Sequence, residues 1–141
     1  MEQLLEFFNN NLILCSIFVA IVFLLLMDIF GSSFKSYGAA SPTEATQLIN
    51  QQDALVLDVR EDNEYHSGHI VNPLHIPMSF LKDRVAELEK HKSKPIIVSC
   101  RSGARSASAC SVLSKQGFEN VYNLKGGVMA WQHANLPLTK A

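Results

Sequence analysis

The sequence predicts an α/β domain, an open parallel sheet with helices on both faces, preceded by one transmembrane helix. Three observations carry that prediction. Short apolar, strand-like runs alternate with amphipathic stretches over roughly the last hundred residues, as a parallel sheet with helical crossovers requires. One run, Pro95-Ile96-Ile97-Val98, is apolar on consecutive positions, the pattern of a strand covered on both faces. Near the N-terminus, Leu12 to Met27 is uncharged and apolar throughout.

Residues 1–11 form a short N-terminal segment that carries Glu2 and Glu6 and no Lys or Arg. With Asp28 tolerated near its end, the apolar run extends to Phe30, and at ~1.5 Å per residue positions 12–30 reach ~28 Å, close to the hydrocarbon thickness of a bilayer. Gly38-Ala39-Ala40 before Ser41 is compatible with a cleaved secretory signal, but the N-terminus lacks the basic residues of one and the apolar run is too long for its core. An anchor is therefore expected, single-pass, in the inner membrane. Lys35 follows the span and nothing basic precedes it, so the positive-inside rule places the C-terminal domain in the cytoplasm. Residues 31–40 read as a tether and 41–141 as the domain.

Within that domain, Ser41-Pro42-Thr43-Glu44 is a capping box with Pro at the first helical position, which starts a helix running to about Asn50. Leu55 to Asp58 is a strand. Phe80, Leu81, Val85 and Leu88 recur at helical spacing among charged residues and predict one amphipathic helix. The Ile96 strand follows, then a helix from Ala104 to Gln116 stopped by Gly117, a strand over Val121 to Leu124 and a last helix from Gly127 to Ala134.

Cys100 sits where the Ile96 strand ends and the Ala104 helix begins. A sharp turn there converges successive backbone N–H groups on one point, and the positive end of the helix dipole adds to them. Arg101 and Arg105 bracket the loop with fixed charge, so the thiol is expected to have a pKa well below the ~8.5 of a free cysteine.

Cys100-Arg101-Ser102-Gly103-Ala104-Arg105-Ser106 resembles the active-site loop of the rhodanese-like sulfurtransferases. Asp58-Val59-Arg60, Glu64-Tyr65, Gly68-His69-Ile70, His75-Ile76-Pro77, Gly126-Gly127 and Trp131 follow the same family's order and approximate spacing, so the resemblance spans roughly Ser41 to Leu138. Two departures stand out. Asn135 replaces a small residue, often Gly, before Leu136-Pro137, and Asn is the next best residue for a left-handed turn. Val71-Asn72-Pro73-Leu74 differs from the family's commoner Pro-Gly-Ala type of link. A related group of cysteine phosphatases places Arg after five intervening residues, whereas four separate Cys100 from Arg105 and Ser106 takes the next position. The shorter loop suits one extra sulfur atom better than a phosphoryl group.

The resemblance implies a rhodanese-like fold and a membrane-anchored sulfurtransferase. It makes Cys100 the catalytic nucleophile, carrying sulfur as a persulfide, with the loop from Arg101 through Ser102, Gly103 and Ala104 to Arg105 binding substrate. Arg105 is the expected structural member of the two loop arginines, paired with a buried carboxylate. Asp58 and Arg60 are expected to support the site by pairing with each other or with loop backbone. The partners implied are a small-molecule sulfur donor such as thiosulfate, a thiol or cyanide acceptor, and the membrane through the N-terminal helix.

Other residues point to plainer roles. Cys110 shares a helical face with Ala107 and Leu113 and reads as core, and Cys15 reads as one more apolar residue, so no disulfide framework is expected. His69 reads as a hydrogen-bonded loop histidine. The five histidines have no metal-ligand spacing, and no metal or cofactor is expected. The net charge of −1 gives no footprint for nucleic acid, and Lys90, Lys92 and Lys94 read as a solvated helix end. The competing function is non-enzymatic: a tethered rhodanese-fold module that brings a membrane protein together with a cytoplasmic one. The intact Cys100, both arginines and Gly103 favour the enzyme, because a scaffold needs no activated thiol.

Overall fold

The computed structural model describes residues 1–33 and 36–140, with nothing said of the side chains of 31–33. Lys35, on which the expected orientation rests, lies outside the described residues. The chain divides into two compact units, Met1–Lys35 and Ser36–Ala141.

The first unit holds two helices, α1 (Glu2–Asn10) and α2 (Leu12–Ser33). Leu12–Phe30 of α2 is long and apolar enough to cross a membrane, and none of it is buried by protein. Sequence periodicity did not single out α1 as an element of its own.

The second unit opens with β1 (Gly38–Ala40), which corrects the expected tether: Gly38, Ala39 and Ala40 pair in parallel with Tyr122, Asn123 and Leu124. Small residues suit this edge, since a Cβ on Gly38 would come within 2.8 Å of the Tyr122 ring. Next is α3 (Pro42–Gln52), entered through the expected capping box. Glu44 N–H donates to Ser41 Oγ at 3.2 Å, and Ser41 N–H to the Glu44 carboxylate at 2.7 Å. Then come β2 (Leu55–Asp58), α4 (Asp62–Ser67) and β3 (Pro73–His75). Asn72 turns the chain into β3 with φ +53°, and Pro73 opens this edge strand at the position where its missing N–H costs least. The unusual Val71–Leu74 link is therefore a left-handed turn into an edge strand.

The single helix expected around Phe80–Leu88 is divided into a 3₁₀ turn (Met78–Phe80), α5 (Leu81–Arg84) and a second 3₁₀ stretch (Val85–His91). Leu81, Val85 and Leu88 are buried nevertheless, while Phe80 is exposed. The spacing of four, Leu81 to Val85, falls along α5 and the spacing of three, Val85 to Leu88, in the 3₁₀ stretch, and each keeps its side chains on one face there, so the pattern reports burial and not the hydrogen-bond register. The remaining elements are β4 (Ile96–Ser99), α6 (Ala104–Lys115), β5 (Val121–Leu124) and α7 (Gly127–His133).

The five strands lie in the order β1-β5-β4-β2-β3, all parallel. Alternation along the buried strands feeds two cores. Leu57, Val59, Ile96, Val98 and Cys100 meet α5 and α6 on one face, and Val56, Ile97 and Leu124 meet α3 and α7 on the other. The chain moves outward from β2 to β3, then returns to β4 and runs the other way to β5. Such a reversal between β2 and β4 leaves a crevice beyond their carboxyl ends, and Asp58 and Cys100 both lie at that edge.

Candidate active site

The loop after β4 is shaped from below by α7. Val128 N–H donates to Cys100 O at 2.8 Å and Met129 N–H to Arg101 O at 3.1 Å. With two consecutive loop carbonyls engaged by α7, the loop's N–H groups are left to face the other way, toward the sulfur. This close approach requires glycine at position 127. Its φ is +60°, and a Cβ there would meet Cys100 O at 2.4 Å and Arg101 O at 2.6 Å. Gly103, with φ +101°, makes the turn into α6.

Cys100 is 1% exposed, and its sulfur lies in this cradle. Gly103 N–H donates to Sγ at 3.1 Å, and Ser106 Oγ lies 3.3 Å from Sγ. Ser106 is itself held by Asn123 on β5, with Oγ to Oδ1 at 2.6 Å, and Asn123 Nδ2 donates back to Gly103 O at 3.1 Å. Burial pushes the Cys100 thiol up. Hydrogen bonds from the Ser106 hydroxyl and from the backbone N–H groups of Ser106, Gly103 and Ser102 outweigh it, so the pKa lies below the ordinary thiol value.

The direction and the converging backbone N–H groups agree with expectation, but Ser106 enters where the charges of Arg101 and Arg105 were expected. Arg101 is exposed, with no ion pair among the described residues. Arg105 is engaged by Glu64 through two bonds, Nη1 to Oε2 and Nη2 to Oε1, both 2.7 Å. That pairing holds the Glu64 carboxyl at about 2, against an ordinary 4.5, chiefly through the hydrogen bond from Arg105. Arg105 thus has a carboxylate partner, but a half-buried one instead of the buried one expected, the Glu64 side chain being 27% exposed. Glu64 is kept in place by the residue after it: the Tyr65 ring is stacked between His69 and His75, each at 4.0 Å. His69 Nδ1 bonds Tyr65 O at 3.0 Å, in keeping with a hydrogen-bonded histidine.

Asp58 and Arg60 pair with each other at 2.7 Å, their side chains 1% and 6% exposed. Arg60 Nη2 also donates to Gly68 O at 2.8 Å, tying the end of β2 to the segment after α4. Arg60, Glu64, Gly68, Arg101 and Met129 line a cleft of about 400 Å³ beside the loop. Cys110 is fully buried and pushed up to about 12, first by burial and then by the nearby Cys100 charge. Among the described residues, no group of His, Cys, Asp and Glu is arranged to hold a metal ion.

Ser106 and Asn123 are the site residues that sequence reasoning missed. Ser106 entered as the last residue of the loop motif and as the one standing where a phosphatase has Arg, and Asn123 only as a residue within the strand Val121 to Leu124. A polar residue at the carboxyl end of a parallel strand neighbouring the one that ends in Cys100 is the signal that could have found Asn123.

A buried thiol with a lowered pKa in a cradle of backbone amides, at the carboxyl edge of a five-stranded parallel sheet, defines the class: an α/β protein that presents a cysteine at the end of a central strand. The chain belongs to the rhodanese-like family: the rhodanese-like domain matches residues 41–134. It is 36% identical to the uncharacterized protein YibN of Escherichia coli strain K12 over 99% of both chains. A sulfurtransferase of Allochromatium vinosum is 37% identical over 70% of this chain and 90% of its own. The thiosulfate sulfurtransferase GlpE of Coxiella burnetii is 36% identical over 68% and 88%. Among solved structures, a rhodanese-related protein of Thermoplasma volcanium superposes with a TM-score of 0.68 at 32% identity, covering 74% of this chain and all of its own.

Proposed function

We propose that this chain is a membrane-anchored sulfurtransferase that moves sulfane sulfur from a donor such as thiosulfate to a thiol or cyanide through a Cys100 persulfide. The observation that carries this reading is the cradle itself, in which a buried sulfur accepts a bond from Gly103 N–H at 3.1 Å and lies 3.3 Å from Ser106 Oγ. Its relationship to named sulfurtransferases supports it.

In the first half-reaction the Cys100 thiolate attacks the outer sulfur of thiosulfate. A Cys–S bond forms to that sulfur, its bond to the sulfonate sulfur breaks with both electrons, and sulfite leaves. The persulfide keeps one negative charge on its terminal sulfur, which the loop amides and the N-terminus of α6 stabilise. In the second half-reaction a thiolate or cyanide takes the terminal sulfur and Cys100 leaves as thiolate. Arg101, exposed at the lip of the cleft, attracts the dianionic donor, and Arg105 with Glu64 holds the loop. Asp58 and Arg60 support the site by fixing the carboxyl edge of β2. The helix α2 anchors the chain in the inner membrane, and the sulfur-transfer domain faces the cytoplasm, where low-molecular thiols are available and Cys100 stays reduced.

The test is the intact mass of the full chain in detergent under non-reducing conditions, before and after thiosulfate and again after a thiol. The expected result is a gain of ~32 Da at Cys100 that the thiol removes. No gain with thiosulfate or other sulfane-sulfur donors, while Cys100 remains alkylatable, transfers the weight to the tethered interaction module.

A further inference from the structure

The sulfur chemistry leaves α1 unused, and α1 has the cleanest amphipathic pattern in the chain. At ~100° per residue, Met1, Leu4, Leu5, Phe7 and Phe8 fall within one arc of roughly 160°, and Glu2, Gln3, Glu6, Asn9 and Asn10 fill the opposite arc with no interleaving. Leu4, Leu5, Phe7 and Phe8 are each more than half exposed. No residue of this helix is buried, so its apolar face has no partner within the described protein.

The join to α2 is a closed corner. Asn11 N–H and Asn11 Nδ2 both donate to Phe7 O, at 3.0 and 2.9 Å, and Asn11 O accepts from Cys15 N–H at 2.9 Å. One asparagine thus ends α1 and starts α2 without leaving its own backbone groups unpaired, which a break at the edge of a bilayer demands. The nineteen residues Leu12–Phe30 already span ~28 Å, so α1 is left at the boundary and outside the hydrocarbon core. Phe7 and Phe8 share an apolar cleft of about 450 Å³ with Leu14, Phe18 and Ile21 of α2. The apolar face of α1 is therefore turned to the side along which the span descends.

Resting on the anchor reading above, we propose that α1 is an interfacial helix, lying along the bilayer surface with acyl chains filling the cleft under Phe7 and Phe8. The occupant is zwitterionic lipid. Residues 1–33 contain no Lys or Arg and α1 carries Glu2 and Glu6, so attraction to anionic headgroups plays no part and apolar burial alone holds the helix down.

The experiment reconstitutes the full chain in phosphatidylcholine vesicles carrying bromine either near the headgroup or near the chain ends. Single variants Phe8→Trp, Asn10→Trp and Phe18→Trp are compared, with the one native tryptophan, Trp131, buried in the soluble unit as a constant background. Phe8→Trp is expected to be quenched at least threefold more than Asn10→Trp, and more by the shallow bromine than by the deep one. Phe18→Trp is expected to show the reverse depth preference. Equal quenching of Phe8→Trp and Asn10→Trp, or deep quenching of Phe8→Trp, overturns the interfacial placement while the anchor stands. Blue-shifted, unquenched Phe8→Trp emission that depends on protein-to-lipid ratio overturns it in favour of contact with a second copy. Absence of quenching at Phe18→Trp removes the anchor, and the proposal with it.

Discussion

Cys100 and Cys110 belong to one core cluster and are equally buried, yet the regions around them treat a thiol in opposite ways. Around Cys110, on the inner face of α6, burial acts unopposed and the group stays a neutral thiol with its pKa near 12. Around Cys100, at the mouth of the same helix, a hydroxyl and backbone N–H groups aimed at the sulfur reverse the direction. Reactivity here follows from directed hydrogen bonds and not from exposure. A cysteine that looks like core by burial has its pKa lowered because the backbone at its end of the helix has donors to spare.

The largest break in this contrast is removal of the nucleophile. Cys100→Ser is expected to lower thiosulfate:cyanide transfer by more than about 1000-fold, whereas Cys110→Ala keeps the rate within about twofold and costs roughly 1–2 kcal/mol of stability as a small core cavity. Steady-state assays with urea melts separate the two outcomes, and a Cys110→Ala variant as inactive as Cys100→Ser would end the assignment. Next in size is Gly127→Ala, which drives a methyl into the Cys100 and Arg101 carbonyls from a left-handed backbone. A loss of roughly 3 kcal/mol is expected in denaturant titrations, together with a raised thiol pKa in whatever fraction remains folded.

Ser106→Ala sharpens the comparison most directly. Removing one bond to a charged sulfur is worth roughly 1.5–3 kcal/mol, or about 1–2 pH units in the thiol. The pH at which Cys100 alkylation by iodoacetamide reaches half its maximal rate should rise by that amount, while the fold is retained. An unchanged midpoint would mean that the backbone amides alone hold the anion. The smallest effect is expected from Glu64→Gln, which frees Arg105. The pair is partly exposed, so stability at neutral pH should fall by no more than about 1 kcal/mol. Because the folded Glu64 carboxyl titrates near 2 and the unfolded one near 4.5, the pair's contribution is complete above 4.5 and lost as the pH falls through 2. The gap between native and Glu64→Gln melts should therefore close over that window and stay constant above it.

Much of this site was legible in the order of residues because it is local. The apolar run into Cys100, Gly103 at the turn and the Ala- and Ser-rich start of α6 form a strand, a loop and a helix mouth within a dozen residues, and the capping box of α3 closes over four. The left-handed φ of +57° at Asn135 was legible for the same reason. By contrast, β1 was hidden in what read as a tether, since three small residues have no strand pattern until β5 offers them an edge. The helix α4, only six residues long, had too few turns to show a period.

What the sequence determined by itself was the parallel α/β architecture, the apolar span and the position of the site cysteine, since each is announced by a local pattern of residues: apolar runs alternating with amphipathic stretches, one uncharged run, and a strand, loop and helix mouth around Cys100. What only the tertiary structure decided was how that thiol is activated. The place of Ser106 beside the sulfur depends on its bond to Asn123, seventeen residues away, and Arg105 is engaged by Glu64, forty-one residues away. The loop's amides face inward because α7 takes its carbonyls. A hydrogen bond needs placement within a few tenths of an ångström, and over such separations only the packed sheet and its helices supply it.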